Sequence, residues 1–153
     1  MSRLAGAKHD WNSWENYLSV HEKTLNRYVR RHYLSGPTAY TVTKWTPEFY
    51  ELSLRGLILQ TFSGNAVEIK IEKDVEIDTE YARPRARTFG YSYHALWPRP
   101  DARNLIRYCS PHEHRQHHHK HIYRDDGTYA VLEVAGDGWP HVSDFVDEVL
   151  KSF

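Results

Sequence analysis

Between residues 38 and 134, turn-forming residues interrupt the sequence at short intervals. The segments between them are rich in threonine, tyrosine and β-branched residues or alternate apolar with polar positions, which is typical of β-strands. The links between these segments have the length of turns, so the sequence predicts neighbouring antiparallel strands. The predicted strands are 38–45, 54–61, 66–71, 89–97, 104–109 and 129–134, with 117–123 as a further extended candidate.

Segments with helical periodicity flank this region. In residues 12–34 apolar and aromatic side chains recur three and four positions apart, and Asn12 is the predicted N-cap. A second apolar stripe near the C-terminus follows a cap at Ser143 or a neighbouring residue. The predicted fold class is α+β: a single domain over residues 1–153, with an antiparallel β-sheet and an N-terminal and a C-terminal helix packed on it.

Composition excludes several classes of protein. The chain has 153 residues, 40% hydrophobic and 26% charged, which is the composition of one globular domain and not of a disordered chain. Its 20 basic and 20 acidic side chains cancel, so net charge alone does not indicate nucleic-acid binding. No apolar run reaches the length of about 18 residues that a membrane helix needs, and the start lacks a signal-peptide pattern. A cytoplasmic location away from membranes is therefore predicted.

Cysteine and histidine usage is uneven. The only cysteine, Cys109, excludes an internal disulfide and is taken to exclude a cysteine-based zinc site within one chain. Of the 11 histidines, six lie between His112 and His121. Histidine is a poor core former, so this density indicates chemistry or binding and not packing.

Four short motifs in the second half of the chain carry a family resemblance. They are Tyr91-Ser92-Tyr93-His94, Leu105-Ile106-Arg107-Tyr108, Pro111-His112 and His118-His119-Lys120-His121-Ile122. In this order they resemble the motifs of the TumE family, which are toxins of bacterial and archaeal toxin–antitoxin pairs. The resemblance spans about residues 50–153 and leaves residues 1–37 as an N-terminal helical extension. Cys109-Ser110 stands where the family tends to have Asp-Asn.

This resemblance implies the toxin component of a type II toxin–antitoxin system in a prokaryotic cell. Its expected partners are a cognate helix-turn-helix antitoxin and RNA, and a homodimer is left open. No cofactor and no metal are expected under this hypothesis.

The residue types are compatible with metal-independent RNA cleavage. That reaction needs a base for the 2′-hydroxyl proton, an acid for the leaving oxygen and cations for the phosphorane charge, roles that suit histidine, lysine and arginine. The candidate catalytic residues are His94, Arg107, His119, Lys120 and His121. The candidate substrate-binding residues are the aromatic Tyr91, Tyr93 and Tyr108, which can stack on bases, and the basic Arg83, Arg85 and Arg87.

Spacing adds an expectation about orientation. If residues 117–123 are extended, His117, His119, His121 and Tyr123 share one face, opposite His118, Lys120 and Ile122. We expect His119 or His121 to work with His94.

Two other functions remain open from the sequence. One is a metal-binding module, because spacings of one and two within the tract suit zinc or nickel. Its candidate ligands are His112, His114, His117, His118, His119 and His121. The other is a non-enzymatic protein that binds RNA or a protein partner through its aromatic and basic surface.

Overall fold

The computed structural model describes residues 11–112, 116–134 and 138–153. His114, one of the candidate metal ligands, lies outside the described residues. In chain order the elements are β1 (Asn12–Ser13), α1 (Trp14–Arg30), β2 (Leu34–Ser35), β3 (Thr41–Thr46), β4 (Phe49–Gln60), β5 (Ala66–Asp78), β6 (Arg85–Leu96), β7 (Asn104–Cys109), β8 (His118–Tyr123), β9 (Tyr129–Val134) and α2 (Val142–Ser152).

The strands of the described residues form one antiparallel sheet in the order β2-β4-β5-β6-β7-β8-β9. Strand β3 pairs with β4, and the two-residue strand β1 pairs with β6. From β3 to β9 each strand pairs with the next strand in sequence, because turn-length links join antiparallel neighbours. The predicted α+β class with an antiparallel sheet and two terminal helices is confirmed.

The sheet has a core face and an outer face. Strand β5 shows the division, because its alternate side chains from Val67 to Ile77 are buried while the intervening ones are partly exposed. Both helices contribute to the core cluster, through Leu25 of α1 and Phe145 of α2. We call the side that packs against the helices the core face and the opposite side the outer face.

Helix α1 belongs to the core and is not an appendage. Leu25 is fully buried, and the Tyr28 hydroxyl donates to Asp147 of α2 at 2.7 Å. The prediction that the N-terminal helix packs on the sheet is therefore confirmed, since α1 completes the apolar layer over the sheet, and the description of residues 1–37 as an extension stays a prediction. Its N-cap is Ser13, which accepts from the backbone N–H of Asn16 at 3.2 Å, and not Asn12 as predicted.

Most predicted elements are present, with different bounds. Strands 104–109 and 129–134 are confirmed exactly, and β8 confirms the extended 117–123 segment apart from His117. Strand β5 runs seven residues beyond the predicted end at Ile71. Helix α2 is capped by His141 and not Ser143.

Among the described residues, no helix has the length and apolar character needed to cross a membrane.

Candidate functional site on the outer face

Strand register assembles a row of basic side chains across the outer face. Lys70 of β5 is opposite His94 of β6, which is opposite Arg107 of β7, which in turn is opposite His121 of β8. Neighbouring strands are about 4.8 Å apart, so His94 and His121 are separated by about 10 Å, with Arg107 between them. The antiparallel register thus places residues from four strands on one line.

Arg107 is the centre of this row. Its Nε donates to the sulfur of Cys109 at 3.1 Å, and its side chain is only partly exposed. Within the described part of the chain, its guanidinium makes no ion pair with a carboxylate. A half-buried guanidinium with donors left over is suited to binding an anion such as a phosphate.

His94 is held in a defined orientation. Its Nε2 donates to Asn104 Oδ1 at 2.7 Å, which leaves Nδ1 of the neutral ring as the acceptor. Burial lowers the pKa of His94, and the positive charges of Arg107 and Lys70 lower it further, while the Asn104 hydrogen bond partly opposes them. The imidazole is therefore neutral near pH 7 and able to accept a proton.

A groove of about 390 Å³ runs along this row. It is lined by Arg55, Lys70, Glu72, Ser92, His94 and Arg107. Glu72 pairs with Arg55 at 3.0 Å, and its negative charge also raises the pKa values of His94 and Arg107. Lys70 and Arg107 remain on either side of His94 to attract a negatively charged ligand.

Three side chains in the neighbouring strands form a second group, which we call the Cys–His cluster. Cys109 is opposite His119 in the β7–β8 register, and His121 is two residues further on the same face. Their sulfur and nitrogen atoms all lie within 4.8 Å of one another. Relative exposures of 3% for Cys109, 2% for His119 and 8% for His121 make this a buried group.

His119 is oriented by its own strand. Its Nδ1 donates to the backbone oxygen of His117 at 2.9 Å, so Nε2 of the neutral ring carries the lone pair. That nitrogen lies 3.3 Å from Nε2 of His112. With this tautomer His119 Nε2 accepts a hydrogen bond from the Nε2–H of His112.

The predicted base-stacking tyrosines lie on the core face. Tyr93 is fully buried against Phe145, and Tyr91 is 4% exposed and stacks on Trp139 at 4.6 Å. Tyr108 donates its hydroxyl to Glu148 at 2.6 Å. A base cannot reach the two buried rings: Tyr93 and Tyr108 pack against α2, and Tyr91 packs against Trp139 and His118.

Lys120 also points away from the groove. It alternates with His119 and His121 along β8, lies over the Tyr108 ring and forms an ion pair with Glu148. The structure confirms the expected division of this strand, with the two histidines on one face and Lys120 on the other. It does not bring Lys120 together with His94 and Arg107.

The predicted basic segment is at the far end of β6. Arg85 and Arg87 stack on Trp11, and Arg87 pairs with Glu76 at 3.0 Å. Arg83 is exposed and precedes the strand. Arg87 is seven positions before His94, or about 23 Å along the strand, so these arginines are not part of the groove.

Two residues of the outer face were not predicted from the sequence. Lys70 alternates with apolar positions in β5, which was a signal that it faces away from the core. Cys109 was considered without the histidines, although a mixed cysteine and histidine group needs only one cysteine. The pairing of Cys109 with His119 depends on strand register, which the sequence did not reveal.

Comparisons with known proteins give no assignment for this site. No family model, no curated protein and no solved structure matches the chain significantly.

Proposed function

We propose that this protein is an endoribonuclease whose active site is the outer-face groove, and that it needs no metal ion for the chemical step. The observation that carries the proposal is the row of Lys70, His94 and Arg107, in which a neutral histidine lies between two cations. RNA supplies what this row can recognise, a phosphodiester and an adjacent hydroxyl.

The groove residues account for each step of the reaction. Nδ1 of His94 accepts the proton of the 2′-hydroxyl, and the 2′-oxygen attacks phosphorus. The guanidinium of Arg107 stabilises the charge on the non-bridging oxygens. The bond to the 5′-oxygen breaks, and this oxygen takes a proton from the ammonium of Lys70. The products are a 2′,3′-cyclic phosphate and a free 5′-hydroxyl.

This assignment differs from the sequence-based hypothesis in the residue that works with His94. That hypothesis paired His94 with His119 or His121, whose catalytic role stays a prediction. Both side chains are nearly inaccessible, at 2% and 8% exposure. Lys70 is adjacent to His94 and lines the groove, so we give it the donor role.

The biological setting is proposed from the resemblance alone. The ordered motifs around residues 91–94, 105–108, 111–112 and 118–122 support a TumE-like toxin of a type II pair. Under this proposal a helix-turn-helix antitoxin is the protein partner. Purification of the chain together with the product of a neighbouring reading frame tests this part separately.

The test is cleavage of a defined RNA without added divalent metal, with both product ends identified. We expect cyclic-phosphate ends, and a loss of about 10²–10⁴-fold in rate for His94→Gln, which is the range for removing a general base. His117→Ala is the matched control, since it removes an exposed histidine outside the groove.

A modified substrate separates the base from the acid. When sulfur replaces the bridging 5′-oxygen, the leaving group departs without protonation. This substrate should restore cleavage by Lys70→Gln and should leave His94→Gln inactive. Absence of cleavage by the wild-type protein on several RNAs, or 3′-hydroxyl products, would overturn the proposal.

A further inference from the structure

We propose that Cys109, His119 and His121 bind one Zn²⁺ ion, with His112 as the fourth ligand, and that this ion has a structural role. The proposal starts from the buried Cys–His cluster, whose ligand atoms lie within 4.8 Å of one another. It is independent of RNA cleavage, since none of the four residues is assigned to proton transfer above.

One distance in the group already equals that between two ligands of a tetrahedral zinc site, and the zinc would replace the hydrogen bond that now spans it. Two imidazole nitrogens bound to zinc at about 2.0–2.1 Å are separated by about 3.3–3.4 Å along the edge of a tetrahedron. The Nε2 atoms of His112 and His119 are 3.3 Å apart. Small rotations of the cysteine and His121 side chains, which start within 4.8 Å of His119, complete the set.

The contacts around the four side chains are those expected of metal ligands. Ligating histidines usually donate their other N–H to a carbonyl, as His119 Nδ1 does to the backbone oxygen of His117. The sulfur of Cys109 accepts from Arg107 Nε at 3.1 Å, and hydrogen bonds to a ligating sulfur are a common outer-shell contact. One thiolate and imidazoles are ligands that zinc prefers.

The position of the cluster explains what a metal would do. Cys109 is at the end of β7 and His119 and His121 are in β8, while His112 lies in the connection between these strands. An ion held by all four would tie His112 to β7 and β8. The ion would also fix the position of Cys109. Because the Cys109 sulfur accepts a hydrogen bond from Arg107, it would hold Arg107 at the edge of the groove as well. A four-ligand site leaves no open position for substrate, so the ion would be structural.

The experiment uses the full chain without an affinity tag, because a histidine tag binds metals. The protein is loaded with Zn²⁺, dialysed against metal-free buffer and analysed for metal by mass spectrometry. We expect one zinc per chain in the wild type and in His117→Ala, and a loss of at least about tenfold in affinity for Cys109→Ser and His119→Gln. His117→Ala is the matched control because it removes a histidine of the same tract and leaves the cluster intact.

Cobalt gives a readout that needs no variant. Co²⁺ bound to the wild-type chain should show the ligand-field bands of tetrahedral cobalt and a thiolate-to-cobalt charge-transfer band. Cys109 is the only cysteine, so that band can come from no other residue of this chain. A wild-type protein that retains no zinc, or a cobalt spectrum without the thiolate band, would overturn the proposal. So would equal metal retention by wild type and folded Cys109→Ser.

The metal readout also separates this proposal from the proposed function. His94→Gln should abolish cleavage and retain zinc, because His94 is outside the cluster. If zinc is bound and no RNA is cleaved, the site stands without the nuclease; if RNA is cleaved by a protein that holds no zinc, the nuclease stands without the site.

Discussion

At the residue scale, the hydrogen bond between His94 and Asn104 sets the acid–base properties of the groove. It presents Nδ1 as the acceptor, and burial lowers the pKa of the ring. A base with a lowered pKa stays neutral, and therefore active, to lower pH. The acidic limb of the cleavage profile should accordingly lie below the pH expected for an ordinary histidine.

The variant Asn104→Asp tests this explanation. A carboxylate in place of the amide favours the charged imidazolium, so it raises the pKa of His94. We expect the acidic limb of kcat/KM to move to higher pH by about one unit or more. The pH dependence of cleavage from both proteins measures the shift. An unmoved limb would mean that a group other than His94 accepts the proton.

His21 makes a separate prediction about stability. Its Nδ1 donates to the Tyr17 backbone oxygen at 2.8 Å, and burial, with the charge of Lys73, lowers its pKa to about 3. In the unfolded chain an ordinary histidine titrates near pH 6.5, so between these values the unfolded state binds a proton that the folded state does not. The contribution of His21 to the free energy of unfolding is therefore fully present above about pH 6.5, and it is lost as the pH falls from there toward about 3.

The variant His21→Gln should reduce the acid sensitivity of folding. Between about pH 6 and pH 4, the free energy of unfolding of the wild type should fall more steeply by up to about 1.4 kcal/mol per pH unit. Urea unfolding at several pH values measures both slopes. Parallel curves for wild type and variant would show that His21 titrates alike in both states.

At the element scale, α1 is expected to be essential to the fold. Leu25 is fully buried between the helix and the sheet, whereas Val20 is 51% exposed on the same helix. Leu25→Ala should reduce the free energy of unfolding by about 2–5 kcal/mol. Val20→Ala should change it by no more than about 0.5 kcal/mol. Chemical denaturation of the two variants compares them, and a small effect of Leu25→Ala would support the view of α1 as a dispensable extension.

The bounds of the strands show how much of the secondary structure could be predicted from the sequence. Strands β7 and β9 were predicted with their exact bounds, because proline or aspartate-glycine turns delimit them. Strand β5 was predicted too short, since Lys73 occupies a core position and interrupts the apolar alternation, yet it is only 3% exposed.

The candidate site was predictable in part, because alternation along a strand determines which side chains share a face. Alternation placed His119 and His121 on one face of β8, and the structure confirms it. Alternation within one strand cannot tell which residues lie opposite in the next. The register therefore supplied what the sequence lacked, namely Cys109 beside His119 and Lys70 beside His94.

At the scale of the whole molecule, the two faces of the sheet have different tasks. The core face holds both helices and buries Tyr93, Phe145 and the apolar side of β5. The outer face carries the groove around Arg107 and the Cys–His cluster next to it. The net charge of zero does not reveal this arrangement, because it sums the cations of the groove with all carboxylates of the chain, including Glu72 in the groove itself.

The most direct test of this account is to locate bound RNA by NMR, using an oligonucleotide with 2′-O-methyl groups that cannot be cleaved. Backbone amides of the described residues are followed during the titration. The account predicts that the largest shift changes cluster at Lys70, His94 and Arg107, and that α1 and α2 change little. Changes concentrated on the helices, or none at millimolar RNA, would contradict the assignment of the outer face as the RNA site.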